Sequence, residues 1–315
     1  MSGRLARATS RTVLLATLVT GIASADTPLD VGALDRWWDF EQPAVSEARF
    51  RAELAKLPRD SGARLELMTQ IARAQGLQRR FDEANATLDQ VQASLAGHAP
   101  RVSVRYLLER GRVFNSSRQP ERAVPLFHAA LDQARAAGED FLAIDAAHML
   151  GIAAPPVGRL DWNLQAVAMT ERSSDDRSKR WLASLYNNIG WTYHDRGEYE
   201  QALAYFEKAL PAWEVRGGAS AIRAARWSVA RALRSLGRYD EALAIQRALL
   251  VDLEASGETD GFVFEELAEL TLAEGNTIAA RPWFAKAYAA LAADPSFAAD
   301  NPARLERLQR LGAAP

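Results

Sequence analysis

Residues 186–210 read YNNIGWTYHDRGEYEQALAYFEKAL, and the alternation of large and small side chains in this run is helical. Tyr186, Ile189, Gly190 and Tyr193 recur at intervals of three or four or lie side by side, so a helix would carry them on one face. Gly197 ends that helix, because a residue without Cβ accepts the positive φ that closes a helix C-terminus. Ala202, Phe206 and Ala209 mark the inward face of a second helix. Gly190, Ala202 and Ala209 let the two backbones approach, while Tyr193 and Phe206 fill the gaps between turns.

The same frame runs outward in both directions. The small residue of the first helix recurs as Ala72, Gly111, Gly151, Gly190, Ala230 and Ala268, at intervals of 39, 40, 39, 40 and 38. Its counterpart in the second helix is Ala84, Ala123, Asn163, Ala202, Ala242 and Ala280. Four residues later come Leu88, Phe127, Val167, Phe206, Gln246 and Phe284. Register held over about 200 residues is the mark of a stacked repeat. The third unit is irregular: Pro155-Pro156 stops its first helix early, Asn163 replaces the expected alanine, and Thr170 stands where Ala209 stands in the next unit.

This order of large and small residues resembles the tetratricopeptide repeat family, in a long-period form of about 40 residues per unit where 34 is usual. The resemblance covers roughly residues 60–295. It implies an all-α fold: a right-handed α-solenoid of about six helix-turn-helix units, near 61–98, 99–138, 139–178, 179–217, 218–257 and 258–296. Residues 26–60 form an N-terminal extension. There Trp37-Trp38-Asp39-Phe40 covers the apolar end of the first unit, and Ser46 begins a helix reaching about Leu57. Asn301-Pro302 starts a polar terminal helix within 297–315, which stops further stacking.

Residues 1–25 read as an address. Arg4, Arg7 and Arg11 precede the apolar run Val13–Ile22, and Ala23-Ser24-Ala25 supplies the small residues of a cleavage site. The run is about half the length of a membrane-crossing helix. Export to the periplasm or medium, with cleavage after Ala25, is expected; the alternative is an uncleaved N-terminal membrane anchor. Removal of the three arginines takes the formal charge from −2 to −5. That balance argues against a nucleic-acid partner, because phosphate neutralisation needs a basic excess.

Cysteine is absent, which excludes thiolate catalysis and thiolate metal sites. The four histidines, His98, His128, His148 and His194, show no zinc-binding spacing, and no nucleophile elbow, phosphate loop or dinucleotide fingerprint occurs. Neither catalysis nor a cofactor nor a metal is expected. Asp145 and His148, three apart on one helix, are close enough to hydrogen-bond.

In the family the first helices line a concave groove that binds peptides. The inward stripe then carries Asn187, Trp191 and His194 in the fourth unit and Trp227, Arg231 and Arg234 in the fifth. These six are the candidate partner-binding residues, since tryptophan beside arginine is the composition of a binding hot spot. Arg112, Asn115, Asp145 and His148 form a secondary candidate site around the irregular third unit, suited to a small ligand or envelope component. Arg223, Trp227, Arg231, Arg234 and Arg238 make one continuous stripe. Either it grips the carboxylate of an acidic partner or it pairs with Glu265, Glu266 and Glu269 on the next helix.

Overall fold

The computed structural model describes residues 29–313, and within them every regular element is a helix. The expected signal segment, residues 1–25, lies outside the described residues. Two N-terminal helices, α1 (Val31–Trp37) and α2 (Pro43–Leu54), precede the array. Six antiparallel pairs follow: α3 (Gly62–Leu77) with α4 (Phe81–Ala93), α5 (Pro100–Ser116) with α6 (Pro120–Ala136), and α7 (Asp140–Ala153) with α8 (Pro156–Arg172). After a 3-10 turn at Asp176–Trp181 come α9 (Leu182–Asp195) with α10 (Tyr199–Arg216), α11 (Ala219–Ser235) with α12 (Tyr239–Ser256), and α13 (Gly261–Ala273) with α14 (Thr277–Ala292). Helices α15 (Pro295–Asp300) and α16 (Pro302–Gly312) end the described chain.

The repeat register has a direct steric cause. A Cβ at Gly190 would stand 2.5 Å from the Phe206 ring, and one at Gly111 would stand 2.5 Å from the Phe127 ring. Each glycine is the socket for the ring four residues beyond the paired alanine. In the third unit Gly151 faces Asn163 instead, whose side chain takes the space of the ring and donates to the Gly151 and Arg159 carbonyls at 3.3 and 2.9 Å. The substituted asparagine is thus buried with its amide nitrogen bonded. Pro156 opens α8 at the position where a missing N–H is harmless.

Seven residues after the small residue of the first helix, five units share one turn. Arg79, Arg118, Gly197, Gly237 and Gly275 all have φ between 61° and 83°. In each, the N–H of the next residue bonds to the carbonyl five residues before it, at 2.9 to 3.1 Å, from Arg80 to Gln75 through Asn276 to Thr271. This Schellman closure satisfies the helix-end carbonyls. Two arginines adopt a backbone that glycine would take freely.

The ends depart from the sequence reading. Helix α2 begins at Pro43, three residues before Ser46, so Ser46 is not its cap. The buried Ser46 hydroxyl instead accepts from the Asp39 amide at 2.7 Å and donates to the Asp39 carbonyl at 2.9 Å, pinning the loop that carries the aromatics. At the other end, α16 packs against α14, as the first helix of a further half-unit would, and reaches α13 through two arginines. Arg304 pairs with Glu265 and Arg307 with Glu269, partners 39 and 38 residues apart, the interval of the repeat itself.

Candidate functional site

Because the first helices stack side by side, residues one repeat apart on their inward stripe become neighbours. Trp191 on α9 and Trp227 on α11 meet with ring centroids 5.7 Å apart. Both are half-buried. Trp191 packs edge-on against Phe206 at 5.1 Å, and the Trp227 indole donates to the Phe262 carbonyl at 3.1 Å. One side of each ring therefore belongs to the core, and the other lines a cleft of about 530 Å³.

His194, Arg231 and Arg234 line the same cleft with Asp195, Glu265, Glu266, Glu269, Arg304 and Arg307. Asn187 is not part of its wall. His194 Nε2 lies 3.0 Å from Ser235 Oγ, and burial holds its pKa below the usual histidine value. Of the two readings open for the arginine stripe, the geometry favours pairing. Arg234 grips Glu266 with two bonds of 2.6 and 2.9 Å, and Arg231 approaches the same carboxylate at 3.6 Å. Arg223 pairs with Glu258 and Arg238 with Glu241. Glu265 and Glu269 are taken by α16 rather than by the stripe. Burial, reinforced by Glu265 and Glu269 and opposed by Arg234, pushes the Glu266 carboxyl up to about 7.

Arg304 and Arg307 were not foreseen in this wall. The signal was present: two arginines three apart in α16, one repeat beyond two glutamates four apart in α13.

The secondary candidates separate. Arg112 pairs with Asp145 and, at 2.8 Å, with Glu109. Asn115 instead borders a surface hollow of about 790 Å³ with Pro155, Pro156 and Ile152. The expected Asp145–His148 hydrogen bond does not form. The Asp145 carboxylate turns to Arg112, and the His148 ring lies 5.0 Å from that of Trp181, its buried Nδ1 without a partner among the described residues. Burial, with Arg112 and Arg73 adding to it and Asp145 opposing, depresses His148 to about 4. No His, Asp or Glu group among the described residues is arranged to hold a metal, and no helix there is long and apolar enough to cross a membrane.

A third space lies in the N-terminal half. A cavity of about 100 Å³ is walled by Arg73, Arg105, Phe141, Asp145, Trp181 and Arg216, and closed by Leu34, Asp35, Trp38 and Phe40 of the N-terminal extension. The aromatics do cover the first unit: Trp37 and Trp38 pack on a core cluster in which Phe50 of α2 joins Ala63, Leu67 and Ile71 of α3, with ring distances to Phe50 of 6.5 and 5.0 Å. They also reach into the channel. Trp38 donates to Gln70 at 3.1 Å and stacks on Phe40 at 4.5 Å, with Arg73 over both rings, and Asp35 pairs with Arg180 at the fourth unit.

Residues 160–214 and 181–250 match the family model of the tetratricopeptide repeat. None of the curated proteins matches the sequence. Among solved structures, the apo form of RapI is similar over 89% of this chain and 80% of its own, at 12% identity and a TM-score of 0.63. NprR, solved in complex with its cognate peptide NprX, is similar over 88% and 83%, at 15% identity and a TM-score of 0.57. A tetratricopeptide repeat protein from Parabacteroides merdae is similar over 90% and 96%, at 15% identity and a TM-score of 0.52. At these identities the likeness is one of fold. With six helix pairs in one register and the family model matching within them, residues 160–250 are tetratricopeptide repeats and the described helices carry the fold of that family.

Proposed function

We propose that this protein is an exported scaffold that captures a protein or peptide segment along its concave channel and catalyses no reaction. One observation carries the reading: Trp191 and Trp227 stand ring beside ring on the wall of an open cleft, each with one face committed to the core and one free. Aromatic anchors held rigid on one side are what binding hot spots are made of. The solved complex of NprR with the peptide NprX supports the use of such a fold for peptide capture. Export rests on the arginine-led apolar run before Asp26.

The test is crosslinking capture from the cell envelope by the full chain, comparing the native protein with a Trp191→Phe/Trp227→Phe variant and with Arg231→Ala. Phenylalanine keeps the packing against Phe206 and Phe262 while shrinking the free face, so the fold is retained and capture should fall several-fold. Undiminished capture by folded variants would place the partner elsewhere. Cell fractionation with N-terminal sequencing tests export: a first residue of Asp26 in the periplasm or medium is expected, and a full-length chain confined to the cytoplasm refutes it.

A further inference from the structure

Trp191 and Trp227 are the open end of a longer row of rings. Trp227 meets Phe262 of α13 at 5.9 Å, and Phe262 meets Phe297 of α15 at 5.5 Å. Four half-buried rings, 36, 35 and 35 residues apart, thus cross four helices in succession. The last two are roofed: the Arg304 guanidinium lies 5.4 and 5.7 Å from their centroids while it is bonded to Glu265. Among the described residues no cation lies over Trp191 or Trp227, so the row is accessible only at that pair.

The polar wall around the pair is balanced. Four arginines and four carboxylates line the cleft, and burial keeps His194 neutral at pH 7, so the wall carries no net charge. Glu265, Glu266 and Glu269 are each held by a different arginine. Arg231 is the remainder. Its side chain is only 29% exposed, its guanidinium donates to no acceptor among the described residues, and the carboxylate it approaches, Glu266 at 3.6 Å, already takes two bonds from Arg234. A half-buried guanidinium beside two open rings calls for an oxygen, but not a charged one. A second carboxylate there would stand beside Glu266, which is 2% exposed and little screened by solvent. A basic group would meet Arg231 and Arg234 in the same way. A neutral carbonyl oxygen satisfies Arg231 without either repulsion.

We propose that the occupant of this cleft is an uncharged peptide segment: an aromatic side chain laid on Trp191 and Trp227, an adjoining backbone carbonyl accepting from Arg231, and no acidic or basic residue next to the ring. This rests on the peptide-capture reading above and names the chemistry of the captured segment. The rings supply the contact area, and the balanced charges around them select against charged neighbours.

The probes are three pentapeptides, N-acetylated and C-amidated, titrated calorimetrically into the full chain. One has phenylalanine at the centre of four alanines; the others carry glutamate or lysine on both sides of the phenylalanine. The alanine-flanked peptide should bind the native chain at least about threefold more tightly than either charged one. Arg231→Met, which keeps the apolar stem and removes the donors, should weaken that binding about fivefold, and Arg231→Lys should restore part of it. Glu266→Gln removes the charge that repels an acidic neighbour, so in that chain the penalty on the glutamate-flanked peptide should disappear. Preference of the native chain for a charged peptide, equal affinity for all three, or binding of none overturns the inference; so does a folded Arg231→Met chain that binds as the native one does. The order of the three peptides on the native chain decides the matter even where a variant fails to fold. If the Trp191→Phe/Trp227→Phe chain loses its envelope partner while the native chain prefers the glutamate-flanked peptide, the capture reading stands and this inference falls. If that variant keeps its partner while the native chain prefers the alanine-flanked peptide, capture lies elsewhere and the neutral preference of the cleft stands.

Discussion

Gly190→Ala is the sharpest test of the packing that sets the repeat. The new methyl would stand 2.5, 2.6 and 3.1 Å from Cε1, Cδ1 and Cζ of Phe206, where carbon contacts settle at about 3.5–4.0 Å. The ring must retreat by about 1 Å inside a core where Phe206 is fully buried. Overpacking of this kind costs about 1–3 kcal/mol, and exchanging a mid-helix glycine for alanine returns about 1 kcal/mol. The net expectation is a loss of up to about 2 kcal/mol. Two other units bound it. Ala72 faces Leu88 in the first unit, and Ala268 sits with Phe284 in the sixth, all buried. Alanine is therefore tolerated where the opposing side chain is smaller or differently seated. Adding Phe206→Leu to Gly190→Ala should recreate the first unit's pairing. The double variant should then exceed the sum of the single effects by about 1 kcal/mol or more. Urea unfolding followed by far-ultraviolet circular dichroism measures the cycle. If Gly190→Ala is stabilising and the two changes are additive, the ring does not rest on that glycine and the steric origin of the register is wrong.

Two further outcomes are expected. Gln246 stands at the ring position of the fifth unit, fully buried, with neither amide atom bonded among the described residues. Since an unmet buried polar group costs about 1–3 kcal/mol, Gln246→Leu should raise stability by about that amount; a destabilised variant on urea titration would show that the amide is satisfied. His148, held near 4 against about 6.5 when unfolded, takes up a proton first in the unfolded chain as pH falls. Stability is then lost between about pH 6.5 and 4, by about 1–2 kcal/mol for this half-buried ring. Glu266, raised to about 7, works in the opposite sense, its contribution falling as pH rises from about 4.5 to 7. The measurement is therefore the difference between native and His148→Phe melting temperatures across that range, and a difference that does not change with pH refutes the assignment.

The helix pairing was legible because it is written in near-neighbour sterics. A glycine or alanine every 38 to 40 residues, with a ring or leucine opposite in four of the six units, states which faces meet. The five shared left-handed turns show how far that register extends, even where arginine rather than glycine occupies the position. What the pattern could not state is how the ends fold. Ser46 looked like a helix cap because serine caps helices, yet Pro43 begins the helix earlier and frees Ser46 to hold the Asp39 loop. Partner choice among charges was equally hidden: Glu265, Glu266 and Glu269 stand on one helix, but only Glu266 turns to the arginine stripe. Periodicity fixes which face a side chain occupies, whereas the choice between two flanking helices depends on a half-unit whose stacking no repeat announces.

That charge arrangement has a consequence for how the cleft would select a partner. Arg234, Arg304 and Arg307 each already hold a glutamate carboxylate in or beside the cleft, so an incoming carboxylate must displace one of them. The exchange returns about as much as it removes, and it leaves a buried glutamate unpaired, which is the expensive outcome for Glu266. A ligand carboxylate therefore gains little net affinity there. The free faces of Trp191 and Trp227 have no such competitor, and what they bury is gain. Under the proposed reading, affinity in this cleft would follow from the aromatic contact, and the ring of alternating charges around it would penalise any ligand that sets like charge against like.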